Sequence, residues 1–526
     1  MAGIGLPGTL LMGARSLNAQ RLAIEVSGHN ISNVNTPGAS RQRANLVTDL
    51  QLNLSLGPQG TGSYAMNIES LRSKYLDAQI VKQSFNEGFF DKKSTLTKLV
   101  QDTLGENLQT DTTGGVNGAS SDTGVQNDLN QFYEAWQLLS SDPTSIEYRQ
   151  QVLERSRSLA GDIKAIATRL NDLQTDMRSD GSSLATDANT LAKEISTLNS
   201  QIMKTESVTG NVANDLRDKR QYAIEQISKL ISIKTSTNAT NDKMIDVQIA
   251  DSTGTALATG GTAGGYLVFG DSGAGVDISG AASTTSAALG ISGTNPALVT
   301  LTNSATATIP ASTGLGGELG AIVNVASFVL GSASVAGGTS ATTVDTVYER
   351  LEVFATQLAT QVNSIQNSAT AYDLDNNNNA GNLFSFTAGN AAATIALSLS
   401  DPRDLAASTV SGSILNSANA TAMANLRNTA ISPGSGWTNL SISEFYRSNV
   451  VTDTGFIVQQ ATRDSETQTL VMNQLNGQRE SISGISIDEE MTNLIRYQRA
   501  YEASARLVTV ADEMYNKVVN GMGAGR

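Results

Sequence analysis

Apolar positions recur with helical period at both ends of the chain. Over residues 9–30, apolar or small side chains stand at Leu10, Ala14, Leu17, Ile24 and Gly28, with Arg21 in the one skipped place. Steps of three and four predict a helix carrying a narrow apolar stripe on a polar surface. The last segment is clearer: Ile487, Met491, Leu494, Gln498, Tyr501, Ala505, Val508, Asp512, Tyr515 and Val519 alternate four and three apart. That period predicts a coiled-coil seam, in which the polar members Gln498 and Asp512 set register. Ser486 and Glu489 have the spacing of a capping box at its start. Asp488, Glu489 and Glu490 occupy the first turn, where the helix dipole favours negative charge.

Between the ends lies a second set of helices. Residues 70–104 and 125–140 are predicted helical, separated by a Gly/Ser/Thr loop at 111–124. A very long helix follows from Ser145 to Glu206, with a seam of Leu159, Ile163, Ile166, Leu170, Leu173, Met177, Asp180, Leu184, Ala188, Leu191, Ile195, Leu198 and Ile202. Two successive steps of four after Asp180 form a stutter, and Gly181 makes a break there an expectation. At 1.5 Å per residue an unbroken helix of this length spans roughly 90 Å, which only an elongated molecule can use. Residues 212–231 and 441–480 are further predicted helices. From Ser232 to Ser340 the chain turns Gly, Ala, Ser and Thr rich, with short alternating runs such as Met244–Ile249 and Tyr266–Phe269. These read as strands joined by glycine turns, against the alternative of a low-complexity linker. A helix at 344–366 and a short β stretch at 393–399 complete the middle.

The pattern predicts a mainly α, α+β multidomain chain. Residues 1–40 and 486–526 are expected to form a terminal coiled-coil domain. Residues 41–231 with 400–485 are expected to form a long-helix rod domain, and 232–399 an inserted β-rich domain facing outward. Two weakly amphipathic helices bury little surface alone, so the terminal domain is expected to order fully only on binding its neighbours.

Composition narrows the function. The net charge is −14, which disfavours a phosphate-bearing partner because nucleic-acid affinity rests on Lys and Arg. The absence of cysteine removes disulfides, thiolate chemistry and Cys-ligated metals. No run of 18 apolar residues spans a membrane as a helix, and the N-terminus lacks the layout of an ordinary signal peptide. The sole histidine, His29, reads as a solvated residue at a helix end, not a catalytic base. The run Tyr372–Asn379 suggests a calcium loop, but Asn378 and Phe384 stand where an EF-hand needs Gly and Glu, so it reads as a polar turn. Gly260–Gly265 and Gly270–Gly275 lack the Lys-Ser/Thr of a phosphate loop. No catalytic, cofactor or metal residues are expected. The most informative local motif is Asn30-Ile31-Ser32-Asn33-Val34-Asn35-Thr36-Pro37-Gly38, where Pro37-Gly38 fits the centre of a type II turn.

That motif, extended through Ala39-Ser40-Arg41-Gln42, resembles the N-terminal signature of flagellar rod, hook and hook-associated axial proteins. The run from Leu494 through Arg496-Tyr497-Gln498-Arg499-Ala500-Tyr501 to Leu507 resembles their C-terminal signature. Asn214-Asp215-Leu216-Arg217-Asp218-Lys219-Arg220 and Gly316-Gly317-Glu318-Leu319-Gly320 resemble mid-chain motifs of the FlgK-type, hook-associated branch. Ala39 stands where the family commonly has Tyr. The resemblance implies a structural subunit of the bacterial flagellum at the hook–filament junction, exported by the flagellar type III apparatus without cleavage. Implied partners are further copies of the chain in a helical homo-oligomer, the hook protein, the second junction protein, and a cytoplasmic export chaperone on the C-terminal segment. Leu10, Ala14, Leu17, Ile24, Ile487, Met491, Leu494, Tyr501, Ala505, Val508, Tyr515 and Val519 are the expected coiled-coil and assembly positions. Asn30, Asn33, Asn35, Thr36, Pro37 and Gly38 are the expected motif turn. Another axial protein, a secreted adhesin or a peptidoglycan hydrolase are the competing readings.

Overall fold

A computed structural model describes residues 6–48, 52–54, 57–59, 62–105, 124–207, 212–257, 266–274, 288–292, 298–302, 306–309, 314–330, 346–378, 381–431 and 440–523. The chain opens with α1 (Leu6–Ser32), then a hairpin of β1 (Gln42–Thr48) against β4 (Ser63–Ser70), with β2 (Leu52–Leu54) and β3 (Gly57–Gln59) paired farther along it. Four helices follow: α2 (Lys74–Leu104), α3 (Val125–Ser141), α4 (Ile146–Thr205) and α5 (Asn214–Leu230). The middle holds a sheet of β5 (Ile233–Thr237), β6 (Ile245–Ile249), β7 (Tyr266–Phe269) and β8 (Ser272–Gly273) in that order. A second sheet is ordered β11 (Thr306–Ile309), β10 (Leu298–Thr302), β9 (Ala288–Ser292). Then come α6 (Gly317–Asn324), continued by a π-helical turn, α7 (Val347–Gln366), β12 (Phe384–Ser385), α8 (Ala391–Thr394), β13 (Ala396–Leu397) and α9 (Ala418–Asn425). The chain ends in α10 (Ile442–Phe445), a second π turn, α11 (Asp453–Ser483) and α12 (Ile487–Gly523).

Local chemistry sets the ends of these elements. The Ser145 hydroxyl accepts from the Tyr148 N–H at 3.3 Å and opens α4. Thr346 and Glu349 close a capping box on α7, as Ser441 and Glu444 do on α10. The expected break at Gly181 does not occur: α4 is one helix of 60 residues. Its buried line runs Leu170, Leu173, Met177, Gly181, Ala185, Ala188, Ala192 and Ile195, so the stutter falls one residue from its predicted place. Two steps of four turn the buried face gradually around the rod and need no break in the backbone hydrogen bonds.

That turn hands α4 from one core to another. The first half of α4 joins α3, the end of α2, α7, α9 and the π turn at 325–330 around Phe132, Trp136, Phe354, Phe384 and Tyr446. The second half joins α5, α6 and the β5–β8 sheet around Ile195, Ile227, Val247, Leu267 and Leu319. These cores correct the expected division of the chain. Residues 317–330 and 347–399 pack into the helical body and do not belong to a β insert. The β structure described here lies between 233 and 309, and part of its apolar face rests on α4 and α5. The segment 317–330 was read only as a short apolar run, because a helix buried on several sides lacks an amphipathic period.

Gly316-Gly317-Glu318-Leu319-Gly320 has a packing reason. A Cβ at Gly316 would stand 2.8 Å from the Phe85 ring, and one at Gly317, whose φ is +77°-like at +76°, would stand 2.6 Å from the Ile231 backbone. Glycine lets the start of α6 press directly against α2 and the end of α5.

Candidate assembly interface

The termini of the chain meet. α1 and α12 lie side by side and antiparallel: Asn30 reaches Glu490 at 3.2 Å, Tyr497 packs near Ala23 and Val26, and Ser16 bonds Ser504 at 3.2 Å. Farther along, a Cβ at Gly13 would stand 2.5 Å from Val508 Cγ2. The contact therefore uses small residues on α1, and these let the two backbones approach closely.

This corrects the expected seam. On α1, Gly13, Ala19, Ala23, Val26, Ser27 and Asn30 are buried, whereas Leu10, Leu17 and Ile24 are half-buried and Ala14 is exposed. On α12, Glu490 and Ala511 are buried, and Leu494, Tyr497, Ser504, Ala505 and Val508 are half-buried. Ile487, Met491, Tyr501, Tyr515 and Val519 are exposed in the single chain. The prediction followed the large aliphatic side chains, but close helix contact selects small ones. At about 100° per residue, exposed Ile487, Met491 and Ile495 lie on one flank of the α1-facing side of α12. Exposed Leu507, Val510, Met514 and Val518 lie on the opposite flank.

The pair is not a bare two-helix coil. The β1–β4 hairpin runs back along α1, placing Ala44, Leu46 and Ile68 against Ala23 and Val26. A Cβ at Gly62 would stand 2.8 Å from the Met12 side chain. This hairpin went unread in the sequence, although Leu46 and Ile68 carry the signal of period-two alternation. A bulge between Asn45 and Leu46 leaves Met66 without a partner and resets the inward face.

The N-terminal motif forms the corner below. Thr36 O accepts from Ala39 N at 3.2 Å across Pro37-Gly38, and Gly38 has φ +77°, as a type II turn requires. Asn33 Nδ2 donates to His29 O at 3.1 Å, and Thr36 Oγ1 donates to Asn33 Oδ1 at 3.2 Å. Asn35, Thr36, Pro37 and Gly38 are exposed. Asn30 is buried and closes the loop by a two-way bond with the Gln42 backbone, at 2.8 and 3.0 Å.

Three separated motifs converge at this corner. Asp218, from the α5 motif, accepts from Ser40 N at 2.9 Å, from Ser40 Oγ at 2.5 Å and from Arg72 Nη1 at 2.8 Å. Asp215 accepts from Gln42 Nε2 at 2.6 Å and pairs with His29 Nε2 at 3.1 Å. His29 is therefore a partner of α5, which corrects its reading as a merely solvated helix-end residue. Burial opposes the charge of Arg72, but Asp77 and Asp218 outweigh it and raise its pKa. From α12, Glu490 is 2% exposed and accepts from Arg41 Nε at 2.7 Å, while Glu489 accepts from Arg41 Nη1 at 2.8 Å. The carboxylates assigned to the helix dipole are thus contact groups, and the capping bond from Glu489 N to Ser486 Oγ is long at 3.5 Å.

Nothing at the corner forms a reactive centre. Among the described residues no three His, Asp or Glu side chains are grouped to hold a metal ion. Asp373, in the suspected calcium loop, instead accepts from Asn377 N at 2.8 Å and from Asn377 Nδ2 at 3.1 Å.

Known families share this layout. A model described as the helical domain of the flagellar hook-associated protein FlgK matches residues 116–384, just over half of the chain. This chain belongs to the FlgK family. At the ends of this FlgK-family chain, a model of the flagella basal body rod protein matches residues 10–39, and one of the flagellar basal body rod FlgEFG protein C-terminal region matches 478–521. These two regions supply α1 and α12. The chain is 26% identical to flagellar hook-associated protein 1 of Bacillus subtilis over 534 residues, covering 97% of each. It is 32% identical over 102 residues to hook-associated protein 1 of Salmonella typhimurium, 19% of this chain and 18% of that one. It is 36% identical to the Escherichia coli hook-associated protein 1 over 80 residues, 15% of this chain and 14% of that one. The fold resembles that of the flagellar hook junction protein FlgK from Burkholderia pseudomallei, with TM-score 0.58 at 13% identity, covering 78% of this chain and all of that one.

Proposed function

We propose that the chain is a structural subunit of the hook–filament junction of the bacterial flagellum, assembling with other axial proteins through its terminal helices. The observation that carries this reading is the α1–α12 pair, whose outward apolar side chains have no partner within the described chain. Ile487, Met491 and Ile495 on one flank, and Leu507, Val510, Met514 and Val518 on the other, suit two different neighbours. That is the requirement of a heterologous contact that repeats along an axis without closing into a dimer. The named relatives are hook-associated proteins, which supports the same placement.

On this reading the chain stands on the distal end of the hook, beneath the second junction protein, in a helical homo-oligomer. It reaches that place by type III export, with a cytoplasmic chaperone on its C-terminal segment until then. Residues 1–40 with 486–526 act as the assembly unit, and the β structure after residue 232 faces outward. No catalytic step belongs to this role. Removing residues 486–526 should leave a folded, soluble body that no longer supports filament growth. A truncated chain that restores motility to cells lacking the full-length protein would refute the proposal. Antibody labelling of isolated hook-filaments should mark a single narrow band between hook and filament.

A further inference from the structure

The corner joining the terminal helices to the body has an unusual construction. The apolar cluster of the terminal unit, around Ala23, Val26 and Ala44, is separate from the cluster of α2 and α11 around Leu76, Ile80 and Met472. Neither of these clusters crosses the joint. The connections there are polar: Asp218 to Ser40 and Arg72, Asp215 to Gln42 and His29, and Arg41 to Glu489 and Glu490. Covalently, Gly484, Ile485 and Ser486 join α11 to α12, with Gly484 extended at φ −65°, ψ 144°. Beside this linker opens a cleft of about 540 Å³, floored by Tyr222 and walled by Arg479 and Glu225.

These features have a mechanical consequence. A joint sealed by apolar side chains resists bending because any movement opens a void. A joint made of directional hydrogen bonds beside an open cleft can swing when those bonds break, since water replaces them. Its resting angle then depends on the few bonds that fix it. Two carboxylates do most of that fixing. Asp218 gathers Ser40 from the N-terminal loop and Arg72 from the start of α2. Glu490, 2% exposed, binds Arg41 and Asn30 and so ties α12 to α1 and its loop.

We propose that Asp218 and Glu490 are positioning residues: they latch the terminal unit at one angle to the helical body, and the Gly484–Ser486 linker is the hinge they hold. The inference concerns the isolated chain and does not depend on where the subunit assembles. Loosening the latch leaves both parts folded and frees the angle between them.

The chain has no cysteine, so two can be introduced without background. Asn18 on α1 and Thr186 on α4 are exposed and outside the joint. Spin labels at Asn18→Cys and Thr186→Cys, read by double electron–electron resonance, report the angle directly. The unaltered joint should give one narrow distance distribution. Asp218→Asn and Glu490→Gln should each broaden it at least twofold, with circular dichroism unchanged. Arg41→Gln, which cuts both carboxylate contacts from a more accessible side chain, should broaden it too. If any variant loses helicity, the remaining ones carry the test. A residue that merely stabilises the fold would lower the melting temperature while leaving the distance narrow. That result, or a broad distribution in the unaltered joint, overturns the proposal. Motility assays on the same variants then separate this inference from the junction reading: a freed angle with normal filament growth would leave the latch intact as a finding and limit its role.

Discussion

Gly88 offers a test of how tightly the helices of the body are set. It lies in the interior of α2, where glycine ordinarily costs about 1 kcal/mol relative to alanine. On propensity alone, Gly88→Ala should therefore stabilise the protein. The structure reverses the sign. A Cβ built at Gly88 falls inside van der Waals contact with the Lys229 carbonyl oxygen and 3.1 Å from the Lys229 carbonyl carbon, at the end of α5. The obstacle is backbone, so no rotamer change relieves it, and α2 and α5 must move apart. Overpacking of this kind costs about 1–3 kcal/mol. The α2–α5 contact also carries the Ser228 hydroxyl bond to Val81 O at 2.5 Å, which separation would stretch. The expected net effect is a loss of roughly 1–2 kcal/mol after the propensity gain is subtracted. Gly161 in α4 and Gly477 in α11 are the controls, since a Cβ at either meets nothing within 4 Å. Gly161→Ala and Gly477→Ala should each stabilise by about 0.5–1 kcal/mol. Urea unfolding followed by circular dichroism at 222 nm reads all three as shifts of the helical transition midpoint, at unchanged slope. A Gly88→Ala midpoint at or above that of the unsubstituted chain would show that the α2–α5 contact is not the tight one described.

Other positions give independent tests. Gly38→Ala should destabilise by about 1–2 kcal/mol, because φ is +77° and the new Cβ would stand 2.7 Å from Tyr222 Cβ; Gly38→Ala combined with Tyr222→Ala should recover part of that loss in urea melts. Arg149, 1% exposed, donates to Pro143 O at 2.7 and 2.9 Å and to Leu405 O at 2.5 Å, and burial lowers its pKa to about 10. Arg149→Ala should cost about 3 kcal/mol or more, since it strands buried carbonyls and opens a cavity, and thermal melting will show it. The bond from Arg217 holds the Glu206 carboxyl below its ordinary pKa. A lowered folded pKa gives stability that is complete above the unfolded carboxylate value and is lost as pH falls through the folded value. Arg217→Ala should therefore flatten the loss of stability below about pH 4.5, measured by urea midpoints from pH 7 to pH 3.

Much of the body could be read from sequence because its helices are long and one-sided. The seam from Leu159 to Met177 is buried nearly throughout, apart from the shift after that point. Period and length together leave no other element for such a segment. The type II turn was legible too, since Pro and Gly constrain φ directly. The candidate site was only half legible. The motif residues were found, but their partners were not: Asp218 and Ser40 are 178 positions apart, and Asn30 and Glu490 are 460 apart. A polar residue announces its capacity to bond, and spacing says nothing of which distant group will meet it.

The sequence by itself determined the helices, the turn at Pro37-Gly38 and the pairing of like segments from the two ends. It did so because period and backbone restriction act within a few residues of each other. Only the tertiary structure decided which side of α12 faces α1, that a hairpin braces the pair, and that residues 317–399 join the helical body. Those outcomes rest on close approach between distant backbones, where small side chains and glycines prevail over the large aliphatics that dominate a linear pattern.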